Sequence, residues 1–280
     1  MAVPSGTIIV ADPESFGGAG GLIAVHPVTG EQQTITQGGL LVEPVGLTVA
    51  ADGTIFVADQ EAFGGGGIVA VNPNSGQQTK ISASAVFTRP MGLTMANDGR
   101  LVVSYLNQGD GVGKIMLVNP VNAEHHAVAP STQWITPADV AINPSGSIVV
   151  ADADIQGFQS KLRTVLPNGL VQDIVDEPIG LGVIYVGLAP KGVDMVVVSN
   201  GNGSNNQHVF QFMMGTPESF RVSSNGLLKS TFGVVVEPSG LVVVADRVSG
   251  IIRLDSDADT QAVVSAGGSL ESPIAVALAR

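Results

Sequence analysis

Short apolar runs ending in a polar residue recur along this chain at a fixed step. They read IIVAD to Asp12, IFVAD to Asp59, LVVSY to Tyr105, IVVAD to Asp152, MVVVSN to Asn200 and LVVVAD to Asp246. These ends lie 46 to 48 residues apart, and the step from Asp246 through the chain end to Asp12 is again 46. A period of this size marks a repeat architecture, in which each unit buries its apolar face only against its neighbours. An open stack of repeats needs polar capping units at its ends. None is visible here, and a closed ring needs none.

Each repeat divides into four extended segments. In residues 46–82, Gly46 to Ala50 forms a first strand, and Asp52-Gly53 supplies a two-residue turn suited to positive φ. Thr54 to Asp59 forms a second strand, followed by a glycine-rich loop. Gly67 to Pro73 forms a third, and the polar Gln77 to Ser82 forms a fourth beyond Asn74-Ser75-Gly76. Asp98-Gly99, Ser145-Gly146 and Ser239-Gly240 repeat the first turn; Thr29-Gly30 and Asn168-Gly169 repeat the second. Four antiparallel strands per repeat, the outermost most polar, predict a propeller blade. The first repeat enters its second strand directly after Pro4-Ser5-Gly6, and Ser272 to Ala279 supplies the missing inner strand. The predicted fold is therefore all-β: one six-bladed β-propeller over residues 1–280, closed by pairing of its N- and C-terminal strands.

Composition narrows the function classes. The chain is 44% hydrophobic and only 13% charged, which disfavours disorder and long surface helices. A net charge of −12 with no basic cluster argues against nucleic acid and anionic membranes as partners. The absence of cysteine removes disulfides, thiolate catalysis and Cys-ligated zinc. No apolar stretch is long enough for a transmembrane helix, and the start lacks the pattern of a signal peptide, so a cytoplasmic location is expected. The glycine clusters are not phosphate loops, because no helix and no Lys-Ser/Thr follows, and no Gly-x-Ser-x-Gly elbow is present.

The pattern Pro-x-Gly-Leu-x-Val, turn, apolar-Val-Ala-Asp, Gly-x-Ile-x-x-Val-Asn-Pro resembles that of NHL-repeat propellers. It is also similar to the wider superfamily of gluconolactonase-like hydrolases, paraoxonase-like lactonases and strictosidine synthase-like enzymes. The resemblance covers the whole chain and implies the fold; function must be argued from the site. It further implies that the starts of the inner strands line the channel mouth, where the metal-dependent members carry Asp, Asn or Glu ligands. Here the corresponding residues are Val45, Met91, Ala138, Val186, Phe232 and Ile274, all apolar. Calcium needs six to eight oxygens, so no metal and no other cofactor is expected. A shift of one residue brings only Asp139 into the ring, beside Gly46, Gly92, Gly187, Gly233 and Ala275. The apolar ring fits either a substrate pocket or a plugged centre.

Polar groups come from two loop sets. Between blades lie Glu43, Arg89, Trp134, Asp176, Glu177, Lys229 and Glu271. Within blades lie Asp12 with Glu14, Asp59 with Glu61, and Asp152 with Asp154. The Asp after Val-Ala reads equally as a framework residue capping its own loop. Tyr105 and Asn200 replace that Asp in blades three and five, and blade five continues through Gly201 to Gln207 to His208. His26 takes the place of Asn72 and Asn119 at a strand end and reads as a turn former, while His125-His126 falls at the periphery.

Three functions fit these residues. The first is a metal-independent enzyme of lyase, cyclase or condensing type acting on an apolar or amphipathic small molecule. Its candidate catalytic residues are Tyr105, His208, Asp152, Arg89 and Glu43; its candidate binding residues are the apolar ring with Trp134 and Asn200. The second is a non-catalytic propeller that binds a ligand or a protein partner. The third is a calcium-dependent lactonase or hydrolase that draws its ligands from the loop carboxylates.

Overall fold

The computed structural model describes residues 3–83, 88–107, 111–129, 134–154, 159–175, 185–192, 194–200, 207–214, 216 and 219–280. These form six four-stranded antiparallel sheets, arranged as the blades of a propeller. The inner strands of blades one to six are Ala275–Leu278, Pro44–Val49, Pro90–Met95, Pro137–Ile142, Tyr185–Lys191 and Thr231–Val236. The second strands are Ile8–Asp12, Ile55–Asp59, Leu101–Leu106, Ile148–Asp154, Met195–Asn200 and Val242–Asp246. The C-terminal strand pairs with the first, Ile8 opposite Leu278 and Ala11 opposite Ala275, which closes the ring as expected. Gly6 adds its amide to the Ala279 carbonyl at 2.9 Å.

The unbroken apolar runs follow from this geometry. Side chains alternate across a strand, and in a propeller both faces of a blade meet another blade. Ile9 and Ala11 pack on Leu47 and Val57 of blade two, whereas Ile8 and Val10 pack on Val243 and Ala245 of blade six. A second strand therefore has no solvent face and reads as continuous hydrophobic sequence. The outer strands, such as Gln32–Gln37 and Gln78–Ala83, leave one face to water and carry polar residues there.

The loop chemistry is local. Gly53, Gly99, Gly146 and Gly240 all take positive φ at the inner hairpin turns. His26 accepts the amides of Val28 and Thr29 on Nδ1, as Asn72 accepts those of Asn74 and Ser75 on Oδ1. The two matching Asp-x-Glu-x-Phe-Gly-Gly loops hold Phe16 and Phe63 at positive φ. Each ring folds over a glycine that opens the following strand, Gly21 and Gly67, where a β-carbon would collide with it.

Candidate functional site

The inner strands build the site. In blades two, four and five the ladder to the second strand skips one residue. Pro44 faces Asp59 and Gly46 faces Ala58, Pro137 faces Asp152 and Asp139 faces Ala151, and Tyr185 faces Asn200 and Gly187 faces Ser199. The skipped residues are Val45, Ala138 and Val186, so a β-bulge re-aims the ring residues named above. Beside Val45 and Val186 stand glycines, Gly46 and Gly187, because adjacent inner strands converge there, whereas Asp139 follows Ala138. A β-carbon on Gly46 would strike the Met91 carbonyl, one on Gly187 the Phe232 carbonyl, and one on Gly233 the Ile274 carbonyl.

These strands enclose a central channel of about 920 Å³. Val45, Met91, Ala138, Val186, Phe232 and Ile274 all line it, and each is partly exposed to it. Side chains plugging the centre would be buried against one another, so among the described residues the centre is a lumen. Glu43 and Gln60 stand at this mouth, and Asn97, Pro238 and Arg280 at the opposite one. Arg89, exposed and at φ 53, donates to Oε1 of Gln60 at 3.3 Å. The Arg247 guanidinium lies 5.5 Å from the Phe232 ring centre while bonding Glu14 and Ser272.

Besides Glu43 at the mouth, a carboxyl on an inner strand interrupts the apolar wall. Asp139 occupies the column that is glycine in blades two, three, five and six, and lines the channel. Its Oδ1 accepts the Val140 amide and its Oδ2 the Leu188 amide of blade five, both at 2.8 Å. Its side chain is partly exposed on the channel wall. Burial pushes its pKa up to about 7, against the pull of the two amide bonds toward the charged form.

The other predicted polar residues mostly serve the framework. Asp12, Asp59, Asp152 and Asp246 are fully buried. Asp246 shows the pattern: Oδ1 accepts the amides of Val248 and Ser249 in its own loop, and Oδ2 those of Lys229 and Ser230 in the loop leading to its own blade. Asp12 does the same with Glu14, Ser15, Glu271 and Ser272. The carboxylate thus fastens two loops at once. Asp152 takes the Ile135 and Thr136 amides and pairs with Arg163 at 2.9 Å. Burial raises the Asp152 pKa, and the Arg163 charge opposes the rise.

Five more predicted residues lie off the channel wall. Trp134 is buried between blades three and four against Ile115, Val140 and Val150, with Arg163 stacked 5.6 Å from its ring centre. Tyr105 is 4% exposed, packed in the core beside Met116 and opposite Pro90 in the ladder. Asn200 is buried, and its carbonyl accepts the Thr231 hydroxyl. His208 is partly buried at the start of its strand, lies against Phe210 with the two rings tilted, and has a pKa lowered by burial and then by Arg221. Arg89 reaches the mouth only through Gln60. Asp176, Glu177 and the segment 201–206 lie outside the described residues. The structure thus gathers Glu43 and the six apolar residues at one mouth. Asp139, which the sequence shows only as a misfit in a glycine column, joins them.

Among the described residues, the donor set does not suit the calcium ion that the resemblance to metal-dependent propellers implies. Among the described residues, the carboxylates on the channel wall are Glu43 and Asp139, and no group of three or more His, Cys, Asp or Glu residues is placed to hold a metal. The apolar ring itself offers no oxygen side chain where calcium requires six to eight ligands. No helix among the described residues is long and apolar enough to cross a membrane.

No family model matches the chain, and no curated protein matches it. Solved structures do. A gluconolactonase from Xanthomonas campestris superposes with a TM-score of 0.63 at 16% identity, over 94% of this chain and 89% of that one. A catalytically inactive variant of virginiamycin B lyase from Staphylococcus aureus, with quinupristin, superposes at 0.59 and 14% identity, over 83% and 73% of the respective chains. At these identities the likeness defines the fold class, a six-bladed β-propeller, and leaves the chemistry to the residues.

Proposed function

We propose that the protein takes up an apolar or amphipathic small molecule at the Glu43 mouth of its central channel and acts on it without a metal. The observation that carries this reading is the open lumen, walled by six apolar side chains from six blades and interrupted by two carboxyl groups. Enclosed apolar walls with a few polar groups are the usual form of a small-molecule site. A lyase, cyclase or condensing reaction asks of such a site mainly orientation of the substrate plus one or two proton-handling groups. We assign that work to Glu43 and Asp139, the two carboxyl groups on the described wall. A lyase with quinupristin and a gluconolactonase share the fold, which supports chemistry on small molecules by this scaffold.

One observation favours a second reading, ligand binding without turnover. Asp152, Tyr105 and Asn200 are spent on the framework, which leaves the channel few groups for catalysis. Native mass spectrometry after incubation with extract of the source organism, with and without chelator, tests both readings. An organic mass that survives chelation supports the channel as ligand site, and its conversion to a new mass on standing marks turnover. A calcium-sized mass lost to chelator overturns the metal-free reading.

A further inference from the structure

We infer that the ligand of this channel carries a basic nitrogen, and that the Asp139 carboxylate holds it in the lumen as an ion pair. This rests on the channel being the ligand site and specifies the chemistry of what enters it.

The placement of Asp139 is the first argument. Four other blades put glycine in its column, because the neighbouring strand leaves no room for a side chain. Blade four admits a carboxyl instead, which reaches across the seam to the Leu188 amide of blade five and also lines the channel. The second argument is fixation. Each oxygen is held by one backbone amide, Val140 or Leu188, so the group has a set position while each oxygen keeps a further lone pair.

Charge is the third. The elements packed against Asp139 present Gly92 from blade three, Leu188 from blade five and Ala151 from its own hairpin, none of them titratable. The charged groups elsewhere on the described channel wall are Glu43 at one mouth and Arg280 beyond the strand ends at the other. No described cation pairs with Asp139. A buried carboxyl without a counter-charge stays partly protonated, and an ammonium group brought in by a ligand would supply that charge. The net charge of −12 draws cations toward the protein as a whole.

The sign of the pH effect follows. With a carboxyl pKa of about 7 and an amine that stays protonated to about pH 10, the pair is complete only above neutrality. Between pH 8 and pH 5.5 the ionised fraction of Asp139 falls by about 30-fold, and amine affinity falls with it toward that of the neutral carboxyl.

The experiment uses a matched pair of probes, 4-phenylbutylamine and 4-phenylbutanol, titrated calorimetrically into the whole protein at both pH values. The amine is expected to bind at least about tenfold more tightly at pH 8 than at pH 5.5, with the alcohol nearly flat. Asp139→Asn should erase the amine's advantage. Asp139→Gly, which restores the residue of the other blades, guards against a folding defect in the first variant and should do the same. If the alcohol binds as tightly as the amine at pH 8, or the amine keeps its advantage in both variants, the inference is overturned while the channel remains a ligand site. If neither probe binds and extract yields no ligand, both readings fall together.

Discussion

Oδ2 of Asp139 accepts the Leu188 amide at 2.8 Å across the seam between blades four and five. The bond ties the protonation of one channel carboxyl to the joint between two blades. The folded-state pKa, about 7, lies above the ordinary value of 3.8, so the folded protein binds this proton more tightly than the unfolded chain. The contribution to stability is therefore full below about pH 4 and declines as pH rises through 7. Between pH 5 and pH 8 we expect a loss of about 1–2 kcal/mol, reduced from the full shift because the channel admits water. Urea unfolding should show that slope in the wild type, and a smaller one in Asp139→Gly. Equal slopes would remove Asp139 as its cause.

The framework carboxylates predict a different effect. Asp59 accepts the amides of Val42, Glu43, Glu61 and Ala62, and so anchors the loop that carries Glu43 to the mouth. Asp59→Ala strands those donors and should cost about 3–5 kcal/mol. Asp59→Asn, which keeps one acceptor oxygen, should cost less. Denaturant midpoints of the two variants decide the order.

Convergence of the inner strands makes a third prediction. Gly46→Ala drives a methyl group into the Met91 carbonyl, backbone that cannot swing aside. We expect destabilisation of about 1–3 kcal/mol. Gly99→Ala is the contrast: no atom lies within 4 Å of its β-carbon site, but φ is +83°. Its cost, of order 1 kcal/mol, comes from backbone conformation alone. Thermal unfolding of the pair separates crowding from torsion.

Position relative to the lumen sorts the remaining side chains. Phe232 lines the mouth, whereas Tyr105 is sealed in the core. Phe232→Ala should weaken ligand affinity about tenfold, the effect of losing one to two kcal/mol of apolar contact. Tyr105→Phe should change affinity by less than about twofold. Calorimetric titration with the same ligand checks both, and a reversed order would move the site off the channel.

The sequence made the ring legible because the propeller is periodic in both the chain and space. Runs ending at Asp12 and Asp246 keep one step across the chain end, and Ser272 to Ala279 fills the one missing strand. The role of the framework Asp was half visible. Its bond to the amides two and three residues on is local, as at Asp59 to Glu61 and Ala62. Its second set, to Val42 and Glu43, spans 16 and 17 residues and depends on how the blade folds back. The apolar ring could be numbered from the prolines, but pocket and plug differ only in how far the six strands stand apart. Trp134 was legible as an inter-blade residue but not its direction: its bridge to Gly113 of blade three draws it into the seam between blades. Asp139 was visible as the odd residue in a glycine column. The bulge at Ala138 makes it a lumen group, and a skipped register leaves no mark in the sequence.

The channel as ligand site is the central claim, and blocking it is the direct test. Ala138 lines the mouth with a side chain of one carbon. Ala138→Trp fills the entrance from a bulge position, where the ladder has no partner to disturb. Native mass spectrometry of wild type and this variant, after incubation with the same extract, should show an organic mass retained by the wild type alone. Equal retention by both proteins, with the variant folded by circular dichroism, would contradict the account.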